Sequence, residues 1–315
     1  MSEPSPPEVI WNLMRGSMTT RALAIVAELG VPAALARGAR PVDDVALEVG
    51  ADPETLHRLL RALASDGVFA EEEPGVFRNT AASEVLLDGW SDFAHLFGGV
   101  WYRTIGELDA TGEPSFPRMF GTDFWAWLKA HPDERTAFDR AMEQGQESRI
   151  ERLAEIDWRG DETVVDVGGG NGSLLIALLQ VHPGLRGIVF DLPEAVRDEA
   201  ALGDRIEFVE GSFFETVPQG DVYILGTILH DWDDERAAAI LRTIRAAAGG
   251  DARLLILDAV VQPGNEPGAG KWLDLLMLAL LAGKERNEAQ WRELLAAGGF
   301  EPVTFHEALI EAAPA

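Results

Sequence analysis

The sequence predicts an α/β protein in which a doubly wound, mostly parallel sheet follows a mostly helical N-terminal domain of winged-helix outline. Three observations carry this. Beyond residue 160 short apolar runs rich in Val and Ile alternate with apolar stretches of helical length. The first run, Thr163 to Val167, is followed at once by glycines at 168, 169, 170 and 172. Before residue 80 the punctuation reads helix, turn, helix, strand, turn, strand.

Composition bounds the function. The chain has 315 residues with 47% hydrophobic, enough for two domains with cores of their own. Lys plus Arg number 26 against 53 Asp plus Glu, a formal charge of -27, which disfavours nucleic acid and anionic membrane surfaces as partners. There is no cysteine, so disulfides, thiolate nucleophiles and thiolate metal sites are excluded. The 6 histidines form no H-x-x-x-H pair, and no metal site is expected. The opening Met-Ser-Glu-Pro-Ser-Pro-Pro-Glu carries no secretory pattern and no later run suits a membrane span, so a cytoplasmic protein is expected.

Apolar residues at helical spacing run from Val9 to Gly30. Pro41 to Asp44 begins a short helix that stops near Gly50, and Asp52-Pro53-Glu54 starts another carrying Leu56, Leu59, Leu60 and Leu63. Val68 to Ala70 and Val76 to Arg78 then read as two strands around Glu71-Glu72-Glu73-Pro74-Gly75. His57, Arg58 and Arg61 on the second helix would suit a DNA groove, but three glutamates in the wing would repel phosphates. A structural or dimerising role is the better reading. Between Asp92 and Met142 aromatics are dense, Trp101, Phe116, Phe124 and Trp127 among them. As a set they suit the wall of a pocket for a flat aromatic molecule, although any single ring serves equally as core.

The glycine loop is the centre of the chain. Glycines at 168, 170 and 172 let backbone approach a ligand, and the helix opening at Ser173 offers its N-terminal N–H groups. A second strand, Gly187 to Phe190, ends in Asp191, about 20 residues on, where a carboxylate meets ribose hydroxyls. The G-x-G-x-x-G spacing of dinucleotide sites fails: the sixth position from Gly168 is Ser173, and from Gly170 it is Leu175. Asp166 at the strand end would repel a pyrophosphate, and the pattern Asp-x-Gly-x-Gly-x-Gly resembles the first motif of S-adenosylmethionine-dependent methyltransferases, whose cationic sulfonium an acidic strand end suits. Further strands are expected at Arg205 to Val209, Asp221 to Leu225 and Arg253 to Leu257, with a closing antiparallel pair, Glu301 to Phe305 and Ala308 to Glu311, turning at His306 and Glu307. Crevice residues should follow each strand, which selects Gly168, Asp191, Ser212 with Phe213, Gly226 and Asp258.

After the fourth strand comes Leu229-His230-Asp231-Trp232-Asp233-Asp234-Glu235, then a helix. The acids have a capping role available at the helix start. His230 lacks that role, and at an ordinary pKa of about 6.5 it would accept a proton at neutral pH.

Taken together, Asp166-Val-Gly-Gly-Gly-Asn-Gly172, Phe190-Asp191-Leu192-Pro193, Gly211-Ser212-Phe213-Phe214, His230-Asp231-Trp232, Asp274-Leu275-Leu276-Met277-Leu278 and Gly283-Lys284-Glu285-Arg286 resemble the plant caffeate and flavonoid type O-methyltransferases and their bacterial natural-product relatives. The likeness covers nearly the whole chain. It implies a winged-helix dimerisation domain over 1–90, a helical linker and substrate-pocket wall over 91–157, and a Rossmann-like S-adenosylmethionine-binding catalytic domain over 158–315. It further implies a homodimer, with His230 as general base toward the hydroxyl of a small aromatic acceptor, and with Asp258 and Glu285 orienting that ring. By the same carry-over Asp166, Gly168, Gly170, Asp191, Leu192, Ser212, Phe213 and Gly226 line the cofactor, while Met142, Met277, Trp101 and Phe124 meet the acceptor. For the methionines, ordinary core filling is a competing explanation.

The chain departs from the family pattern at Ser212, where aspartate is usual, at Gly226, where plant members often carry lysine, and at Asp258, where glutamate is usual. The terminal hairpin also looks shortened. Two rival functions remain open from sequence: a same-fold enzyme that uses the cofactor for decarboxylation or hydroxylation, and a winged-helix regulator that senses S-adenosylmethionine. A sensor has no need of a positioned base, so His230 favours methyl transfer.

Overall fold

The computed structural model describes residues 5–193, 205–306 and 308–315. The chain divides into two compact units, residues 1–106 with 130–144, and 107–129 with 145–315. The segment read as a linker is thus shared between them.

In the first unit the long N-terminal helical run is two helices, α1 (Pro6–Met14) and α2 (Gly16–Glu28), followed by α3 (Val31–Ala34). Strand β1 (Arg40–Pro41) leads into α4 (Val42–Val49), which ends at Gly50 in the left-handed conformation. Helix α5 (Pro53–Ser65) starts where Asp52 accepts the Thr55 N–H at 2.8 Å. Its Leu56, Leu60 and Leu63, at helical spacing, are buried against Val26, Val45, Phe69 and Phe77. Strands β2 (Phe69–Glu73) and β3 (Val76–Asn79) form the wing, and β1 adds a third strand that two residues and a proline had not announced. Short α6 (Ala81–Glu84) and a 3-10 turn lead to α7 (Trp90–Gly98) and α8 (Val100–Gly106).

The second unit takes α9 (Ser115–Phe120) and nearly all of α10 (Phe124–Ala130), the first unit takes α11 (Pro132–Glu143), and α12 (Gln146–Ala154) belongs to the second again. Strand β4 (Thr163–Val167) then opens the large sheet, followed by α13 (Ser173–Val181), β5 (Arg186–Asp191), β6 (Ile206–Glu210), β7 (Val222–Gly226), α14 (Asp234–Ala247) and β8 (Arg253–Leu257). Helices α15 (Gly270–Leu281) and α16 (Glu288–Gly298) precede the last strands, β9 (Phe300–His306) and β10 (Leu309–Pro314).

The strand order is β6-β5-β4-β7-β8-β10-β9, parallel through β8. Strand β10 lies antiparallel between β8 and β9, so the closing pair is longer than the sequence suggests and contains one register shift, between Glu311 and Ala312. Glu307 of the expected turn lies outside the described residues. Alternating side chains fill two cores: Val165, Tyr223, Leu254 and Ile256 meet α14 and α16, whereas Val164, Val222, Ile224 and Leu255 meet α12 and α13. Because the chain leaves β4 first toward β5 and later returns to β7, the C-terminal edge of β4 is the switch point at which a ligand crevice opens.

Candidate active site

The glycine loop sits at that switch point. Gly168, Gly170 and Gly172 have φ of +77°, +58° and +78°, where side chains are strained. A methyl group on Gly168 would lie 2.5 Å from Ile228 Cδ1, and one on Gly172 would lie 2.9 Å from Val189 Cγ2. The Gly168 N–H donates to the Phe190 carbonyl at 2.8 Å. Asp191 ties the loop to β5, accepting the Gly170 N–H at 2.8 Å and the Leu192 N–H at 2.6 Å. Ser212 Oγ accepts the Phe214 N–H at 3.3 Å, so the hydroxyl shapes its own turn. Phe213 packs edge-on against Phe214 and Trp232. A Cβ on Gly226 would meet only Leu174, at 3.7 Å, so its lack of a side chain leaves room beside the loop.

Asp166 is fully buried under Gly169, and its Oδ2 has no hydrogen-bond partner. Burial, with the neighbouring Asp191 charge, pushes its pKa up to about 7 against the pull of Arg149. Such a carboxyl next to a backbone cradle fits a cationic ligand with ribose hydroxyls and does not fit a pyrophosphate.

The second cluster forms because β7 and β8 are neighbours. A 3-10 turn after β7, Leu229–Asp231, carries His230; Asp258 follows β8; Glu285 follows α15. His230 Nδ1 stands 2.8 Å from Glu285 Oε1 and 3.9 Å from Asp258 Oδ1, and its Nε2 stands 3.4 Å from Asp231 Oδ1. Desolvation opposes the charged ring, but Asp258, Asp231 and the hydrogen-bonded Glu285 outweigh it and push its pKa up to about 10. The acids respond in turn. Burial raises Asp231 to about 7 and Asp258 to about 6, with the His230 charge opposing both.

Two expectations change here. The His230 pKa lies well above its ordinary value, because Asp231 joins Asp258 and Glu285 around a ring for which the sequence motifs implied only the latter two. Among the acids read as a cap, Asp233 performs that job, accepting the Arg236 N–H at 2.8 Å, while Asp231 turns inward to the ring. Nothing in the local sequence separates the two roles. Arg286 and Asp274, inside quoted motifs but without assigned roles, are structural members of the cluster: Asp274 Oδ1 accepts the Glu285 N–H at 2.8 Å.

Of the expected acceptor residues, Met277 is buried on α15, which packs against α9, and Phe124 is buried in a ring cluster with Phe116 and Trp125. Met142 and Trp101 belong to the first unit, where Trp101 packs edge-on against Phe93 and Phe97. Among the described residues no His, Asp and Glu group has the arrangement of a metal site.

Comparison with known proteins agrees in both halves. Residues 102–301 match the model of the O-methyltransferase domain, and residues 11–89 match that of the O-methyltransferase dimerisation domain. The chain belongs to the O-methyltransferase family. It is a methyltransferase whose cofactor is S-adenosylmethionine, and it carries the family's dimerisation domain. Phenazine O-methyltransferase PhzM from Lysobacter antibioticus is 37% identical, over 97% of this chain and 96% of that protein. The crystal structure of LaPhzM superposes with a TM-score of 0.92 at 35% identity, over 99% of this chain and 100% of that one. NcsB1, an O-methyltransferase from neocarzinostatin biosynthesis solved with S-adenosyl-L-homocysteine and 1,4-dihydroxy-2-naphthoic acid, gives 0.80 at 34% identity, over 94% and 96%. No helix among the described residues is long and apolar enough to cross a membrane.

Proposed function

We propose that this O-methyltransferase methylates a hydroxyl of a small, flat aromatic acceptor, with His230 as general base, and works as a cytoplasmic homodimer. The observation that carries the reading is the cluster of His230 and Asp258, which follow the neighbouring strands β7 and β8, with Glu285 from the segment after α15. Relatives named for a phenazine and solved with a dihydroxynaphthoic acid support the acceptor class.

S-adenosylmethionine supplies an electrophilic methyl group, for which Gly168, Gly170 and Asp191 would form the cradle, with Asp166, Leu192, Ser212, Phe213 and Gly226 around it. Within the protein, Glu285 holds the Nδ1 proton, which leaves Nε2 as the base once it is neutral. Asp231 faces Nε2 at rest, so the acceptor hydroxyl takes over that contact when it binds. The carboxylates then hold the imidazolium that forms as the hydroxyl proton moves to Nε2 while the oxygen bonds the methyl carbon. Met277 is assigned to the acceptor ring. Alanine substitution of Met277, Met142, Trp101 and Phe124 in turn, read in KM, tests the four acceptor assignments.

The deciding experiment incubates the protein and S-adenosylmethionine with hydroxyphenazines, hydroxynaphthoic acids and simple phenols, with detection by mass. A methylated product that depends on His230, lost by roughly 100-fold in His230→Ala, is the expected result. Full turnover in His230→Ala would remove the base and leave proximity as the source of rate. A product of another mass change would favour the decarboxylating or hydroxylating alternative.

A further inference from the structure

Arg286 has no exposed surface, and a buried guanidinium persists only where its donors are used. Its Nη1 donates to the Leu229 carbonyl and its Nη2 to the Trp232 carbonyl, each at 2.8 Å, while Nε donates to Asp234 Oδ1 at 3.0 Å. Those two carbonyls bracket His230. One planar fork therefore grips the 3-10 turn from both ends. The backbone closes the same joint, since the Lys284 N–H donates to the His230 carbonyl at 2.9 Å. A side chain at Gly283 would run into that carbonyl oxygen, so the two segments approach as closely as bare backbone permits. On its other side the Arg286 carbonyl accepts the Val261 N–H at 2.9 Å, which ties the segment to the chain beyond Asp258.

We propose that Arg286 is the positioning residue of the active site: it clamps the His230 turn to the segment whose preceding residue is Glu285, and so sets the pairing of His230 with Glu285. The inference rests on the reading of His230 as the base. It adds that the distance between ring and carboxylate is fixed by a neighbour that touches neither reactant. Lysine cannot replace it, because one ammonium group does not span two carbonyls and a carboxylate in the plane of a fork.

The test labels histidine with 13C at Cε1 and follows the ring of His230, assigned by its loss in His230→Ala, through a pH titration of the full-length protein. In the native protein the signal should remain that of an imidazolium well into alkaline pH. In Arg286→Lys and Arg286→Met the ring should titrate at least about one unit lower, since it loses its nearest carboxylate. S-adenosylhomocysteine binding by calorimetry should stay within roughly threefold, because the clamp lies outside the glycine loop, while turnover at alkaline pH, where the ring is neutral in both proteins, falls roughly tenfold or more. Should the Arg286 variants not fold, Asp234→Asn decides: this side chain is 58% exposed, anchors the fork at one point, and should give a smaller shift in the same direction. Folded variants in which His230 titrates as in the native protein would overturn the clamp. The titration is independent of turnover, so an active His230→Ala would remove the base reading and leave the question of the clamp to be answered by the ring itself.

Discussion

His230 Nδ1 and Glu285 Oε1 are 2.8 Å apart although 55 residues separate them in the chain. The contact joins the loop after one strand to the end of a helix that follows the next strand, and both partners are nearly excluded from water. In such surroundings the carboxylate fixes the tautomer as well as the charge of the ring. Glu285→Gln keeps the shape and removes the charge. The His230 pKa should then fall, so kcat at alkaline pH, where the ring is neutral in both proteins, should drop by roughly 10 to 100-fold, and the drop should shrink toward neutral pH, where the variant keeps more of its ring neutral. Steady-state rates across pH for both proteins check this.

The raised pKa of His230 sets a direction for the native enzyme. A base must be neutral, and the surrounding acids push the pKa of this ring up to about 10. Accordingly kcat/KM, which reports the free enzyme, should climb from neutral pH toward alkaline pH with no plateau near 6.5. A plateau beginning at that ordinary value would show that the three carboxylates do not hold the proton on the ring.

Asp166 makes a prediction about stability. In the folded protein its carboxyl keeps its proton to about pH 7, against 3.8 for an unperturbed side chain. Between these values the folded state binds more protons than the unfolded one, so this group's contribution to stability falls as pH rises. Asp166→Asn removes the group that titrates. Its Tm relative to the native protein should therefore increase steadily from pH 4 to pH 7 and level off above. A difference independent of pH would show that Asp166 titrates normally.

Gly168→Ala tests the cradle. At φ of +77° a side chain is strained by about 1–2 kcal/mol, and the new methyl group would press on Ile228. A free loop that relaxes away from this strain must regain it to hold the cofactor, so affinity for S-adenosylhomocysteine should fall by about tenfold in calorimetry.

The N-terminal helix makes a prediction about assembly. Ile10, Trp11, Leu13 and Met14 are each more than half exposed on one short helix, an apolar surface that a lone protomer would leave in water. With Ile10→Asp and Trp11→Glu together, light scattering should report a monomer where the native protein gives a dimer. A native monomer, or a dimer that survives both charges, would exclude this face from the interface.

Much of the fold was legible because its signals are short-ranged. Thr163 to Val167 and Arg253 to Leu257 are strands with the bounds that their apolar runs suggest, since a parallel strand buried on both faces needs an unbroken run of such residues. The glycine loop was equally plain, because positive φ at 168, 170 and 172 is a demand of local geometry that glycine meets. The two-residue β1 and the insertion of β10 between β8 and β9 were not visible: each depends on which distant strand supplies partners, and Arg40 and Leu309 carry no mark of that.

The candidate site divides along the same line. The order of strands selected His230 and Asp258 as crevice residues, and the resemblance of the motifs added Glu285 to them. The protonation state of the ring was decided by tertiary structure alone, since a pKa follows from burial and from every charge within a few ångströms, whatever its distance along the chain. Asp231 and Asp233 look alike in sequence, yet one faces the ring and the other caps α14, because a 3-10 turn rotates one side chain inward and leaves the other at the helix start. Arg286 reads as one more charge in a polar tetrapeptide until the carbonyls of Leu229 and Trp232 are seen on its fork.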